Sequence, residues 1–176
     1  MEDQYFKWFD IPVCFLPDEE QLRQKYYTLS RSLHPDFYTL EAPSVREEIL
    51  RKSSFNNEAY RILSDSNKRL KYVLEIYGLV DGETSNSLDQ EFLLEMMELN
   101  ENLMDASMEG DKDKLELITL QVEQIMAILG EESQLFMTEF DAGKDQQDNL
   151  LRIRDAYLKR QYILRILENC RKFANP

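Results

Sequence analysis

His34-Pro35-Asp36 is the stretch of this chain whose residue types could act on a partner at close range. The Asp36 carboxylate can accept hydrogen bonds from an arginine, His34 can donate or accept, and Pro35 fixes the backbone so that its neighbours project in set directions. A catalytic group cannot be assembled around them. The chain has one His, no glycine-rich phosphate cradle and no nucleophile elbow, so no enzymatic activity is expected. Position alone leaves a second role open for His34, which could instead bond to the last carbonyls of a preceding helix.

The elements that must hold this tripeptide can be read from the spacing of apolar residues. Tyr5-Phe6-Lys7-Trp8-Phe9 predicts a short aromatic helical turn stopped by Pro12, and Pro17-Asp18-Glu19-Glu20 predicts a helix start near Asp18. Leu22, Tyr26, Leu29 and Leu33 follow at steps of four, three and four, giving one apolar stripe that ends before Pro35. Arg23, Tyr27 and Arg31 lie opposite, a ridge that either docks a partner or is simply a solvated face. A loop is expected from Asp36 to Pro43, then a helix opened by a Ser44/Glu47 capping box and carrying Ile49, Phe55, Ala59, Ile62 and Leu63. A shorter helix over about 68–77 would close at Gly78.

Asp81-Gly82-Glu83-Thr84-Ser85-Asn86-Ser87 reads as a domain boundary, which gives a division into 1–78, a linker 79–87 and 88–176. Beyond it, periodic segments over about 88–108, 112–140 and 145–173 are joined by short connections, so antiparallel neighbours in a three-helix bundle are expected. With 5 Gly, 5 Pro and little strand-like alternation, the class is all-α. Charge is unevenly placed: 11 Lys and Arg against 13 Asp and Glu over 1–78, 2 against 17 over 79–143, and 8 against 4 over 144–176. The basic last helix should therefore pack beside two acidic ones.

A net charge of −13 excludes nucleic acid and anionic membrane as expected partners, because phosphate binding needs a clustered cationic surface. No run approaches the ~18 apolar residues of a membrane span. Met1-Glu2-Asp3-Gln4 does not resemble a leader, so a bacterial cytoplasmic protein is expected, or a mitochondrial matrix protein if a presequence has been removed. Cys14 and Cys170 fit neither a disulfide framework nor a metal-ligand spacing, and neither metal nor cofactor is expected.

The helix, the tripeptide and the later run Phe55-Asn56-Asn57-Glu58-Ala59-Tyr60-Arg61-Ile62-Leu63-Ser64-Asp65 together resemble a J-domain, the module with which DnaJ-class proteins stimulate the ATPase of heat-shock-seventy chaperones of DnaK type. The resemblance places Tyr26, Leu29, Ala59, Tyr60 and Leu63 in the core. It implies that His34, Pro35, Asp36, Arg23, Tyr27 and Arg31 dock on the partner's nucleotide-binding domain. Nearly the whole chain is similar to the HscB family of iron-sulfur cluster assembly. The similarity is carried by Tyr5-Phe6, Phe9, Ile11-Pro12, by Lys68-Arg69-Leu70-Lys71-Tyr72-Val73-Leu74 and by Phe92-Leu93-Leu94-Glu95-Met96-Met97-Glu98-Leu99-Asn100-Glu101. Phe37-Tyr38 stand where many J-proteins carry a basic residue, and Asn67 where a Pro is common.

That resemblance implies an HscA-type chaperone partner and an IscU-like scaffold held by Leu93, Leu94, Met97, Glu98, Glu101 and Asp105, completed on the last helix by Tyr162 or Ile163. Leu93, Met96, Met97 and Glu101 share a helix side, and two readings stay open for the apolar ones: a binding stripe, or bundle core. Phe92, Leu99 and Leu103 are the better core candidates. An acidic bundle binding a different, basic client is the competing reading of function.

Overall fold

The computed structural model describes residues 2–80 and 88–174, and every regular element among them is helical. The chain divides into two compact units, Met1–Asp81 and Gly82–Pro176. Most of the expected linker, residues 81–87, lies outside the described residues.

The first unit contains α1 (Gln4–Trp8), α2 (Glu19–Ser32), α3 (Pro43–Leu63) and α4 (Ser66–Ile76). Helix α2 starts where the sequence predicts, with the Asp18 carboxylate accepting from the Gln21 amide at 2.9 Å. Helix α3 does not. Pro43 occupies its first position and Ala42 precedes it without a side-chain cap, while the amides of Val45 and Arg46 bond to the Ala42 carbonyl at 3.0 and 3.1 Å. The Ser44/Glu47 capping box is thus displaced by proline, whose fixed φ and missing N–H suit a first helical turn. Helix α4 begins two residues earlier than expected because Asp65, read as part of a polar break, caps it by accepting from the amides of Asn67 and Lys68, both at 3.0 Å. Gly78 adopts the expected left-handed conformation, with φ of 67°.

Phe6, Phe9, Phe15, Leu22, Ala59, Leu63, Val73 and Leu74 are buried in this unit, each of these side chains larger than alanine contributing roughly 1.5–3 kcal/mol. Helices α2 and α3 run antiparallel: Tyr26 stacks on Tyr60 with ring centres 4.0 Å apart, and Ser30, one turn further along α2, meets Asn56, one turn earlier on α3. Asn56 is fully buried and fully used. Its Nδ2 donates to Ser30 Oγ at 2.9 Å and to the Tyr26 carbonyl, and its Oδ1 accepts from Trp8 Nε1. Arg69 is also buried, donating from Nε to the Phe15 carbonyl at 2.8 Å and from Nη1 to the Leu63 carbonyl, so its guanidinium ties α4 to the end of α3 and to the segment before α2. The Tyr72 hydroxyl accepts from the Tyr5 amide and donates to the Glu2 carbonyl, and burial pushes its pKa up.

The second unit is a bundle of α5 (Gln90–Glu109), α6 (Lys112–Asp141) and α7 (Gln146–Ala174). Gly110, at φ 69°, ends α5, and Asp111 immediately caps α6 by accepting from the Lys114 amide at 3.0 Å, which turns the chain back on itself in two residues. Phe92, Met96, Leu99, Leu103 and Ala106 from α5 meet Leu115, Ile118 and Val122 from α6 and Ile163, Ile166, Leu167 and Cys170 from α7. Burial raises the Cys170 thiol pKa, which keeps it a neutral core residue. The basic helix uses its cations differently from a simple charge match: Lys159 lies over the Phe92 ring at 5.4 Å and Arg152 over Phe136 at 5.1 Å, while the same two residues pair within α7 with Asp155 and Asp148.

Candidate functional site

In the first unit the tripeptide sits at the bend between α2 and α3. Helix α2 closes at Leu33, His34 turns extended with φ −70° and ψ 124°, and Pro35 opens a 3-10 turn over Pro35–Tyr38 where the sequence predicts irregular loop. Proline suits that opening position for the same reason as in α3. The Asp36 amide donates to His34 Nδ1 at 3.3 Å and the Phe37 amide to the His34 carbonyl at 3.1 Å. The imidazole therefore faces forward into the turn it opens. The Asp36 carboxylate lies 3.6 Å from Nδ1 and its side chain is 82% exposed. The Tyr38 hydroxyl donates to the Ser32 carbonyl at 2.9 Å, which fastens the turn to the last turn of α2. The result is a rigid loop with an exposed carboxylate and imidazole, and the exposed Phe37 ring 5.8 Å from that of His34.

Arg23, Tyr27 and Arg31 are all exposed along one side of α2. Arg23 pairs with Glu20, which offsets its charge in place, and the Tyr27 ring packs tilted against Tyr26 at 5.3 Å.

In the second unit, α5 presents opposite faces of different character. Leu94 and Met97 are 59% and 53% exposed, and Glu98, Glu101 and Asp105 share their side of the helix. Leu93 is half-buried at its border. The outward row continues through Met104 and Met108, both exposed, giving an apolar strip edged by carboxylates.

Two family models match this chain: the DnaJ domain over residues 6–72, and the HSCB C-terminal oligomerisation domain over residues 88–171. The Co-chaperone protein HscB homolog of Psychromonas ingrahamii is 35% identical over 144 residues, which span 80% of this chain and 85% of that protein. This chain belongs to the HscB co-chaperone family. The human Iron-sulfur cluster co-chaperone protein HscB is 31% identical over 115 residues, 65% of this chain and 49% of the human one. Its crystal structure aligns with a TM-score of 0.68 at 26% identity, covering 96% of this chain and 80% of that one. The fold is likewise shared with HscB from Vibrio cholerae, with a TM-score of 0.62 at 23% identity and coverage of 96% and 95%.

Within the HscB framework one sequence expectation needs correction. Ile163, expected at the α5 surface, is wholly buried in the bundle core, because the register of α7 turns Ile163, Ile166, Leu167 and Cys170 inward together. Tyr162 is partly buried, its ring edge-on to Phe92 at 6.2 Å. Met96 is also wholly buried, which resolves the shared side of Leu93, Met96 and Met97: Met96 belongs to the core and Met97 to the surface. Met104 and Met108 were not anticipated, although their seven- and eleven-residue spacing from Met97 carries the same helical signal.

Proposed function

We propose that this HscB-family protein stimulates ATP hydrolysis by a heat-shock-seventy chaperone of DnaK/HscA type through His34, Pro35 and Asp36, and delivers to it an IscU-like cluster scaffold bound on α5. The observation that carries the first half is the anchored loop. The Tyr38–Ser32 bond and the Asp36 amide–His34 bond hold the loop backbone that carries the exposed carboxylate before any partner arrives, which lowers the backbone ordering entropy spent on docking. Arg31, with Arg23 once it exchanges Glu20 for the partner, adds steering toward an acidic face, an effect on encounter and register more than on affinity. Division of labour follows the proposed boundaries, with 1–78 acting on the chaperone, 79–87 as linker, and 88–176 holding the scaffold.

The second half is supported by the α5 strip. Leu94 and Met97, bordered by Leu93 and flanked by Glu98, Glu101 and Asp105, suit a partner with an apolar centre and a basic rim. Tyr162 acts through Phe92 to hold α5 in place. Coupling of the two activities is tested by single-turnover ATP hydrolysis on a DnaK/HscA-type chaperone with and without scaffold. Added scaffold is expected to raise stimulation by the wild-type chain and not by a Leu94→Lys/Met97→Lys chain; equal stimulation in all mixtures refutes the delivery step.

A further inference from the structure

Phe37, Leu40 and Leu50 are 71%, 100% and 53% exposed. With Tyr27 on the α2 ridge, they are the large apolar side chains of the first unit that are more than half exposed among its described residues. One exposed leucine would mean nothing, but three such side chains between positions 37 and 50 concentrate apolar surface beside the tripeptide. Phe37 rides on the 3-10 turn that the Tyr38 hydroxyl ties to Ser32, its ring 5.8 Å from that of His34. Leu50, two turns into α3, lines an open groove together with Pro35, Asp36 and Pro43, while the core takes its neighbour Ile49. Arg46 and Glu47 also line that groove and carry opposite charges, so with Asp36 it holds one net negative charge.

We propose that Phe37, Leu40 and Leu50 determine affinity for the DnaK/HscA-type chaperone, seating on a partner surface of aliphatic or aromatic side chains that surrounds the cation met by Asp36. The inference rests on Asp36 acting on that chaperone, and adds what holds the chaperone there. Charge alone supplies little hold, because Arg23 is paired with Glu20 and the charges of Arg46 and Glu47 oppose one another. Burial of apolar surface suffers no such cancellation. Phe37 offers a large ring with two side-chain torsions to fix, on a backbone already held by the Tyr38–Ser32 bond, so its ordering cost on docking is small. Apolar side chains around Asp36 also keep water from its pairing with the partner's cation, which strengthens that pair.

Single-turnover ATP hydrolysis by a DnaK/HscA-type chaperone, titrated with the full chain, separates holding from action: the half-saturating concentration reads the first and the rate at saturation reads the second. Phe37→Ser/Leu40→Ser/Leu50→Ser is expected to raise the half-saturating concentration at least fivefold, with the saturating rate within twofold of wild type and circular dichroism unchanged. The same ratio is expected at about 0.1 and about 0.5 M salt, because apolar burial is not screened. Asp36→Asn is expected to lower the saturating rate instead. Stimulation that Asp36→Asn lowers and the triple serine chain leaves unchanged at every concentration overturns the apolar contact while the action of Asp36 stands. A fivefold ratio that vanishes at the higher salt overturns it as well, and no stimulation by the wild-type chain overturns both readings.

Discussion

Trp8 and Asn56, 48 residues apart in sequence, are joined by a 2.9 Å hydrogen bond from the indole Nε1 to the amide Oδ1. Because Asn56 Nδ2 also donates to Ser30 and to the Tyr26 carbonyl, one buried amide ties α1, α2 and α3 together behind the His34 loop. Asn56→Ala removes all three bonds and strands the indole N–H of Trp8, so a loss of about 2–4 kcal/mol is expected. Trp8 is the single tryptophan, and its fluorescence in a urea titration reads the loss directly. A change under about 0.5 kcal/mol would mean the amide is replaceable by water.

Asp65 gives the first unit a pH signature. Its carboxyl is held below its usual range by the Lys68 amide, then by the Lys68 ammonium at 3.1 Å. A lowered folded-state pKa means that the stabilisation is present above the unfolded value of 3.8 and is lost as pH falls through the lower folded value. Asp65→Ala should therefore cost about 1 kcal/mol at neutral pH. The gap to wild type should narrow on acidification through that window, as the charge is lost and a neutral acceptor remains, while Asp65→Asn, which keeps a neutral cap, should hold a pH-independent part of the stability throughout. An Ala gap of the same size at both ends of the titration would contradict the assignment.

Adjacent methionines on α5 have opposite roles. Met96→Ala empties a fully buried position and should lower stability by about 2–5 kcal/mol. Met97→Ala should leave the melting temperature within about a degree and weaken binding of an IscU-like scaffold, read by calorimetry. Loss of stability in both, with scaffold affinity intact, would place the binding surface elsewhere.

Gly130 lies inside α6 with helical backbone and open space where a Cβ would stand. Gly130→Ala should stabilise the bundle by roughly 0.5–1 kcal/mol through lower unfolded-state entropy. Thermal melting checks this, and a destabilisation would reveal a contact that the bundle makes at that face.

Helix types, order and most ends were legible because they follow from single local signals: Asp18 ahead of an apolar stripe, Gly78 and Gly110 after one. Where two signals compete in adjacent residues the sequence does not decide between them, as at Pro43 and Ser44, where the ring outweighed the hydroxyl. Periodicity also misreads polar residues whose partners are remote. Asn56 and Arg69 have nothing local to mark them as buried, since Trp8 and Phe15 complete them from far along the chain. On α7, whose apolar residues surround much of the helix, no phase stands out, and Ile163 went to the wrong face. The tripeptide is legible whole, whereas the Tyr38 hydroxyl that anchors it depends on a 3-10 turn that no local sequence signal marks.

The exposed Asp36 carboxylate is the group proposed to act on a chaperone. Single-turnover ATP hydrolysis by a DnaK/HscA-type chaperone, with wild-type and Asp36→Asn chains compared at equal concentration, tests that most directly. Stimulation by wild type and a loss of at least tenfold on Asp36→Asn, with the same circular dichroism and melting temperature, is the predicted result. Equal stimulation by both chains would contradict it.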